Sequence, residues 1–222
     1  FAGESFGGSN AFTGSPDSWL EFPFNGSVGT EFTAAFYYKV SGDPSRAGIL
    51  VAGADENRTQ GFRLFREGSA DEQRIKLNIG TGAGESWNDG GVIDVNAGEW
   101  VHVAFTVTES QSTIYINGNP VNTGNLAAPI DWTGVEQLTI GAGGETFSYW
   151  DHKYDSSALD ELRIFDKALS QDEISNLINA SSETLKISFD GSYQDAASNR
   201  EIATVGNPDY VGEAAVGSNA YA

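Results

Sequence analysis

Apolar and polar residues alternate along much of the chain in short runs. Every second residue is apolar from Phe32 to Val40, and the same period of two returns at residues 62–64 and 75–79. Turn-forming residues interrupt these runs roughly every ten residues, a spacing typical of β-sandwiches and β-barrels. Because a period of two places the apolar side chains on one face of a strand, the pattern predicts an all-β domain.

The clearest strands lie within residues 98–121. One face of the first strand carries four apolar side chains: Val101, Val103, Phe105 and Val107. Ile114 and Ile116 follow after a polar turn and return along the neighbouring strand. Asn117-Gly118 comes next, and this dipeptide favours the positive φ angles that a tight hairpin turn needs. The stretch therefore predicts antiparallel strands joined by tight turns.

One short helix is predicted beyond further strands at residues 138–142 and 159–165. Ser170 and Glu173 have the spacing of a capping box, in which each residue satisfies a backbone N–H of the other. A short apolar stripe follows, formed by Ile174, Leu177 and Ile178. These signals predict a surface helix of roughly one to two turns.

Four segments follow one another in a distinctive order. Trp100 with HVAFTV comes first, followed by IYINGNPV, then LTIG, then LDELRIFDKALSQDEISNLI. This ordered set resembles the bacterial laminin-G-like domains of the concanavalin-A-like lectin/glucanase superfamily, specifically over residues 98–180 and more loosely over 19–97. The resemblance implies an all-β, two-sheet antiparallel jelly-roll β-sandwich, with structural calcium and with glycan or protein ligands.

The chain is strongly acidic, with 31 Asp and Glu against 12 Lys and Arg and a formal net charge of −19. Such a surface repels phosphate backbones, so nucleic acid is excluded as a partner. The same carboxylates suit hard divalent cations such as Ca²⁺. Cysteine is absent, which excludes disulfides and thiolate chemistry. No run approaches the roughly 18 apolar residues of a membrane span, so membrane insertion is not expected.

Two segments near the ends of the chain resemble each other. GEAAVGSNAYA at residues 212–222 matches GESFGGSNAFTG at residues 3–14. LKISFDGSYQDAASN, which begins at residue 185, resembles the opening strand and turn of laminin-G-like domains. We therefore expect a sandwich at residues 1–184 and, at residues 185–222, the N-terminal-strand-like segment of the next repeat in a tandem array.

An incomplete sheet edge is the expected docking place for residues 185–222. A sheet that lacks its first strand exposes unpaired backbone donors and acceptors, and these favour the addition of a strand. The segment can complete its own domain, or it can insert into a neighbouring copy and join copies into a filament. A third alternative is a tail that docks nowhere. All three alternatives are compatible with the sequence.

Asp160 is the best single candidate for metal binding. It shares its strand parity with Leu162 and Ile164, which predicts a carboxylate on the apolar side of a strand, where an unpaired charge is costly. The resemblance implies that Asp160 ligates a structural Ca²⁺ together with Asp190 and Asp195. The alternative is that Asp160 caps a loop or pairs with an arginine.

Two predicted loops place aromatic side chains beside polar ones. In residues 84–91 the candidates for ligand binding are Trp87, Asn88 and Asp89. In residues 145–155 they are Tyr149, Trp150, Asp151 and Tyr154. Because the apolar face of a sugar stacks on an aromatic ring while Asn and Asp bind its hydroxyls, we predict that these residues bind a glycan. The alternative for each tryptophan is packing as a lid over the core.

Catalysis is not predicted. GESFG at residues 3–7 matches the G-x-S-x-G pattern, but no predicted strand precedes it and no predicted helix follows it. His102 and His152 lack motif partners, and no strand carries a row of alternating carboxylates. We therefore predict a non-catalytic, calcium-stabilised recognition and adhesion module that is secreted or on the cell surface and binds a glycan or a surface protein. The alternative is a structural repeat that joins copies of itself through residues 185–222.

Overall fold

The computed structural model of the protein describes residues 5–6, 10–148, 151–177, 185–187 and 203–205. Its first seven strands are Phe12–Thr13 (β1), Trp19–Pro23 (β2), Phe32–Lys39 (β3), Arg46–Ala52 (β4), Phe62–Gly68 (β5), Glu72–Gly80 (β6) and Glu85–Asp94 (β7). The next seven are Val101–Val107 (β8), Gln111–Ile116 (β9), Asn119–Asn125 (β10), Gln137–Ile140 (β11), Ala158–Phe165 (β12), Leu185–Ile187 (β13) and Ala203–Val205 (β14). A 3-10 turn lies at Val95–Ala97, and the helix α1 lies at Gln171–Ser175.

The described strands pair into two antiparallel sheets. The first sheet has the order β1-β12-β3-β8-β9-β10, with β13 also paired to β12. The second sheet has the order β14-β2-β11-β4-β5-β6-β7. The predicted all-β sandwich of two antiparallel sheets with one short helix is therefore confirmed.

The main core lies between the two sheets and takes alternate residues from their strands, as a period of two requires. Residues from both sheets contribute to it, including Phe36, Leu50, Leu64, Leu77, Val103, Phe105, Ile114 and Ile140. Four rings form an aromatic cluster at one end, with centroids of contacting pairs 5.2 to 6.2 Å apart: Phe32, Phe62, Phe105 and Trp132. The alternating apolar residues of the sequence are thus the residues that hold the sheets together.

The tight turn predicted at Asn117-Gly118 joins β9 to β10. Both residues have positive φ, 50° and 76°. Ile116 pairs with Asn119 across the turn. Asn117 also contacts β8, because its Oδ1 accepts a hydrogen bond from the backbone N–H of His102 at 2.9 Å. The predicted hairpin is confirmed.

The helix α1 begins at the predicted capping box. The Ser170 hydroxyl accepts from the backbone N–H of Glu173, and the Glu173 carboxylate accepts from the backbone N–H of Ser170. Ile174 and Leu177 are buried against the outer face of the first sheet, while Ile178 lies outside the described residues. No helix in the described part of the chain is long and apolar enough to cross a bilayer.

A bulge in β12 changes the predicted position of Asp160. Asp160 lies opposite Tyr37 of β3, and Arg163 lies opposite Ala35. The strand β12 therefore holds one more residue than β3 between these two pairs, as in a β-bulge. Glu161 is the residue at this place with a positive φ, 51°.

The bulge places Asp160 on the outer side of the first sheet. Leu159 and Leu162 both belong to the core, so the extra residue has reset the alternation between them. The expectation that Asp160 shares a side with Leu162 is therefore wrong. The Asp160 carboxylate is nevertheless only 1% exposed, and it accepts hydrogen bonds from the backbone N–H groups of Phe6 at 3.0 Å and Glu161 at 2.9 Å.

Two short strands from the C-terminal region pair with the two sheets. The strand β13 pairs with residues 162–164 of β12, next to β1, which pairs with residues 158–159. The strand β14 pairs with residues 19–21 of β2 at the edge of the second sheet. Residues 185–187 thus add a strand to the first sheet, and residues 203–205 add one to the second.

Candidate functional site

A row of side chains crosses five strands on the outer face of the second sheet. Each residue lies opposite the next across an antiparallel pair: Thr139, Val51, Arg63, Asn78 and Trp87. Directly opposite residues of antiparallel strands share a face. The chain neighbours Leu50, Leu64 and Leu77 lie in the core, so this row faces outward. Trp87 is the last residue of the row, on the edge strand β7.

Trp87 and Phe65 form an aromatic corner on this face. Their ring centroids are 5.8 Å apart, and their planes are perpendicular. Phe65 is buried, whereas Trp87 keeps 37% of its surface exposed. An aromatic ring that is fixed on one side and open on the other can stack on the apolar face of a ligand.

Residues 143–148 and 151–155 lie over the middle of the same outer face. Phe147 and Val51 form a small apolar cluster with Phe65. His152 packs edge-on against Phe65, with ring centroids 4.6 Å apart, and stacks on Phe147 at 4.7 Å. We call residues 143–148 and 151–155 the covering loop. Its side chains cover one side of the Phe65 ring, and Trp87 packs on another side of that ring.

Asp155, at the end of the covering loop, binds Arg66 of β5 on the core side of the second sheet. Asp155 Oδ1 accepts hydrogen bonds from Arg66 Nε at 3.0 Å and Arg66 Nη2 at 2.9 Å. Asp155 Oδ2 accepts from the hydroxyl of Tyr38 at 2.7 Å. Burial, reinforced by the charge of Asp155, raises the pKa of Tyr38 well above its usual value, so the hydroxyl keeps the proton that it donates. All three side chains are buried.

A ladder of charges lies beside Trp87. Lys76 Nζ is 2.5 Å from Glu67 Oε1 and 3.2 Å from Asp89 Oδ1. Partial burial is the largest single effect and disfavours the charged forms of Lys76 and Glu67. Hydrogen bonds and neighbouring opposite charges together exceed it, so the pKa of Lys76 is raised and that of Glu67 is lowered. Both groups are therefore charged at neutral pH.

These residues enclose a cavity of about 290 Å³, which we call the Trp87 cavity. Its walls are Phe65, Glu67, Lys76, Glu85, Trp87 and Asp89. Glu85 is oriented by two bonds that its carboxylate accepts, from Arg58 Nε and from Asn78 Nδ2, both at 3.0 Å. The volume lies close to the lower bound of ligand sites in proteins, about 300 Å³.

A larger cavity of about 390 Å³ adjoins the Trp87 cavity and shares Glu67 and Lys76 with it. We call it the Arg74 cavity. Its other walls are Arg46, Gly68, Ser69, Glu72, Arg74 and Val92. It contains no aromatic ring, so it offers no surface on which a sugar can stack, and of these two adjoining cavities the Trp87 cavity is the better candidate site.

The structure places the first group of predicted ligand residues, Trp87, Asn88 and Asp89, on opposite sides of one strand. Residues 85–91 belong to β7 and do not form a loop. Trp87 and Asp89 both face outward into the Trp87 cavity. Asn88 lies between them, is 1% exposed, and donates from Nδ2 to the backbone oxygen of Ser112 at 2.9 Å. Its Oδ1 accepts from Asn122 Nδ2 at 2.8 Å, so Asn88 ties β7 to the first sheet and lies outside the candidate site.

The second group of predicted ligand residues lies elsewhere. Tyr149 and Trp150 are outside the described residues. Asp151 is exposed, and a hydrogen bond from Lys153 at 2.7 Å lowers its pKa. Tyr154 lines a separate cavity of about 360 Å³, which we call the Trp19 cavity, with walls at Pro16, Trp19, Ala142, Gly144, Ser148 and Lys153. The described residues of the two predicted loops therefore do not share a cavity.

Four residues of the Trp87 cavity were missed by the sequence analysis: Phe65, Glu67, Lys76 and Glu85. The signal for Phe65 was present, because Phe62 and Leu64 set the inward parity of β5 and an aromatic ring therefore stands at an outward position. The positions of Lys76 and Glu85 depend on which strands pair, and one strand's alternation does not reveal its partners.

The predicted calcium ligands do not form a site among the described residues. Both oxygens of Asp160 accept backbone hydrogen bonds. Asp190 and Asp195 lie outside the described residues. No group of three His, Cys, Asp or Glu that could hold a metal ion occurs in the part of the chain that the structure describes. The calcium site at these three residues therefore stays a prediction.

Comparison with solved structures identifies similar folds. A candidate carbohydrate-binding protein from Bacteroides ovatus is 16% identical with a TM-score of 0.61, over 87% of this chain and 57% of that one. The chain thus spans a little over half the length of that protein. Domain 4 of AbnA, an extracellular arabinanase from Geobacillus stearothermophilus in complex with arabinotriose, is 20% identical with a TM-score of 0.53, over 72% of this chain and 71% of that one.

A third similar structure is the CBM40 of the Ruminococcus gnavus IT-sialidase bound to α2,3-sialyllactose. It is 16% identical with a TM-score of 0.54, over 77% of this chain and 99% of that one. At such identities these likenesses show the fold alone. A search of curated proteins finds no match to this chain.

A family profile covers most of the sandwich. The profile described as the Concanavalin A-like lectin/glucanases superfamily matches residues 12–175, from β1 through α1. This stretch includes both outer faces and every described wall of the Trp87 cavity. The chain therefore belongs to the laminin-G-like domains of the Concanavalin A-like lectin/glucanases superfamily.

Proposed function

We propose that this chain is a non-catalytic carbohydrate-binding module whose ligand stacks on Trp87. The observation that carries the proposal is the Trp87 cavity, where a partly exposed indole adjoins Phe65 and a ladder of charged side chains. Sugars present an apolar face and a rim of hydroxyls. A ring for the face and fixed polar groups for the hydroxyls are the two requirements of such a site.

The polar walls match the hydroxyls of a sugar. Glu67, Glu85 and Asp89 supply carboxylate oxygens that accept hydrogen bonds, and Lys76 supplies a donor. Hydrogen bonds to charged groups are about twice as strong as those between neutral groups. The existing bonds of Lys76 and Glu85 hold these side chains in place before a ligand arrives.

The charges of the cavity also support a binding role without catalysis. Glycoside hydrolysis requires a carboxylic acid with a raised pKa that protonates the leaving oxygen. In the Trp87 cavity, burial raises the pKa of Glu67, but the hydrogen bond from Lys76 and the positive charges of Lys76 and Arg46 together lower it by more, so this carboxyl is ionised at neutral pH. An ionised carboxylate that already accepts from a lysine is suited to binding.

The similar structures support the same function. Their names describe a candidate carbohydrate-binding protein, a complex with arabinotriose and a complex with sialyllactose. An extracellular or cell-surface location and a role in adhesion belong to this proposal, and the arabinanase is described as extracellular.

Glycan binding by Trp87→Ala tests the proposal. We expect the variant to bind at least about tenfold more weakly on a glycan array and in titrations, because it loses the stacking surface. Trp19→Ala is the matched control, since Trp19 lines a different cavity. Binding that survives in Trp87→Ala and disappears in Trp19→Ala would contradict this assignment.

A second candidate function is a structural repeat that joins copies. The pairing of β13 and β14 with β12 and β2 supports it, because residues 185–205 are able to supply a strand to each sheet. The same strands from one copy would fit the same edges of another. We expect the full chain to form concentration-dependent oligomers in light scattering and a chain lacking residues 185–222 to form none. A full chain that is monomeric at all concentrations would refute this candidate.

The calcium site at Asp160, Asp190 and Asp195 stays a prediction. What supports it is the sequence resemblance and the burial of the Asp160 carboxylate. If the three residues hold Ca²⁺, EDTA lowers the melting temperature and Asp160→Asn removes that response. An identical melting curve with and without EDTA would rule out a stabilising calcium.

A further inference from the structure

The charges that line the Trp87 cavity bear on which class of glycan fits it. Three carboxylates and one ammonium group stand in its walls: Glu67, Glu85, Asp89 and Lys76. Together they leave a net formal charge of −2 inside a cavity of about 290 Å³. A charged group on the ligand would therefore meet more carboxylates than ammonium groups at close range.

The rest of the protein adds to this field. The whole chain has a formal net charge of −19. Charges on a protein surface act on an approaching ion over about one Debye length, roughly 8 Å at physiological salt. An anionic ligand is thus repelled both on approach and inside the cavity, whereas a neutral ligand meets neither penalty.

We propose that the Trp87 cavity selects neutral glycans and rejects glycans that carry a carboxylate, sulfate or phosphate. This inference rests on the proposed glycan-binding function and names its substrate class. Neutral sugars offer hydroxyl protons, which are what the carboxylates of Glu67, Glu85 and Asp89 accept. An anionic substituent offers only acceptors, and it would leave these carboxylates facing a like charge.

The Arg74 cavity next to the site is the feature that favours an anion. Its three cations are Arg46, Arg74 and Lys76. Two of them already face carboxylates: Arg46 Nε lies 3.8 Å from Glu67, and Lys76 lies 2.5 Å from Glu67 and 3.2 Å from Asp89. An incoming anion would have to compete with these existing partners, and the ring of Trp87 lies on the far side of Lys76 from Arg74 in the strand register.

The test compares neutral glycans with acidic versions of the same glycans. The full chain is applied to an array of neutral oligosaccharides and their sialylated or sulfated counterparts, at low and high salt. At low salt we expect each neutral glycan that binds to do so at least about tenfold more strongly than its acidic counterpart. We expect this ratio to shrink at high salt, because salt screens the repulsion.

Two matched variants test whether the charges of the Trp87 cavity cause the preference for neutral glycans. Asp89→Asn removes one negative charge from the Trp87 cavity and is expected to increase the relative binding of acidic glycans about threefold to tenfold. Glu72→Gln removes the same charge from the Arg74 cavity, outside the Trp87 cavity, and is expected to leave the ratio nearly unchanged.

The possible failures are distinguishable. If acidic glycans bind more strongly than neutral ones and Arg74→Ala abolishes that binding, the selection of neutral glycans is overturned while glycan binding stands. If the folded chain binds neither class, the proposed function itself is overturned. A neutral preference that is lost in Trp87→Ala supports both.

Discussion

The outer faces of the two sheets differ in what covers them. On the first sheet, α1 and Leu177 pack on a buried apolar patch that includes Ala35, Ala104, Tyr115, Phe165 and Leu169. On the second sheet, the covering loop reaches Phe65 and Val51, and beyond it Trp87 remains 37% exposed. The same strand architecture thus gives one face on which a helix packs and one on which an aromatic ring stays partly exposed.

The side chains explain the difference. Ala35 and Ala104 lie opposite each other on neighbouring strands, and their small size lets a helix approach the sheet closely. The outward positions of the second sheet hold Glu67 and Lys76, an ion pair that an apolar helix could cover only at the cost of desolvating both charges. The first sheet therefore packs a helix on its outer face, whereas the second keeps charged side chains and Trp87 there.

The largest expected effect comes from the buried ion pair between Arg66 and Asp155, which anchors the covering loop to the second sheet. Arg66→Met leaves the buried carboxylate of Asp155 without its charged partner, so we expect the free energy of unfolding to fall by about 3–5 kcal/mol. Glycan binding should weaken as well, because the covering loop loses its anchor. Chemical denaturation measures the first effect and titration the second. Arg46→Met, at a long and exposed ion pair, is the control and should cost less than about 1 kcal/mol.

The face covered by α1 should respond differently. Ile174→Ala removes a buried side chain of α1, and we expect a loss of about 2–4 kcal/mol in the free energy of unfolding. Glycan affinity should not change, because Ile174 packs on the opposite sheet from Trp87. Asp172→Ala, at an exposed position of the same helix, is the matched control. A parallel loss of glycan affinity in Ile174→Ala would show that the two faces are coupled.

The smallest expected effect is a pH dependence of the free energy of unfolding that is caused by His102, in β8 of the first sheet. Burial, aided by the charge of Arg163, lowers the pKa of His102 to about 4. In an unfolded chain the pKa of a histidine is about 6.5. The folded protein therefore binds fewer protons between these values, so stability is complete above pH 6.5 and declines as the pH falls toward 4.

This decline is measurable by urea denaturation at two pH values. Between pH 7 and pH 5 the contribution of His102 should be at most roughly 2 kcal/mol. The variant His102→Gln should lose less stability than the parent chain over that interval. Equal losses in the two proteins would show that protonation of His102 is not linked to folding.

The alternation of single strands was sufficient to predict the core. Val103 and Phe105 are fully buried, and the hairpin and capping box follow signals that span only a few residues. Such features depend on local geometry, which a sequence specifies directly. The two-sheet fold was predictable for this reason.

The site was predictable only in part. The residue type of Trp87 is enough to predict it as a candidate, and the structure places it in the proposed site. Asn88 lies on the inner side of β7, which the sequence pattern does not distinguish from a loop. Asp160 was placed on the wrong side because a bulge adds a residue that no local pattern marks. Glu67 and Lys76 meet across a strand pair, and such pairing is decided by the whole fold.

The bond between Arg66 and Asp155 has a consequence for the energetics of recognition. Because the covering loop is anchored from below, Phe147 is held against Phe65, with ring centroids 5.1 Å apart, and Phe65 is thereby fixed as a wall of the Trp87 cavity. A receptor of this kind loses little conformational freedom when a sugar arrives, so more of the contact energy remains as affinity. Free and ligand-bound structures should superimpose closely around Phe65.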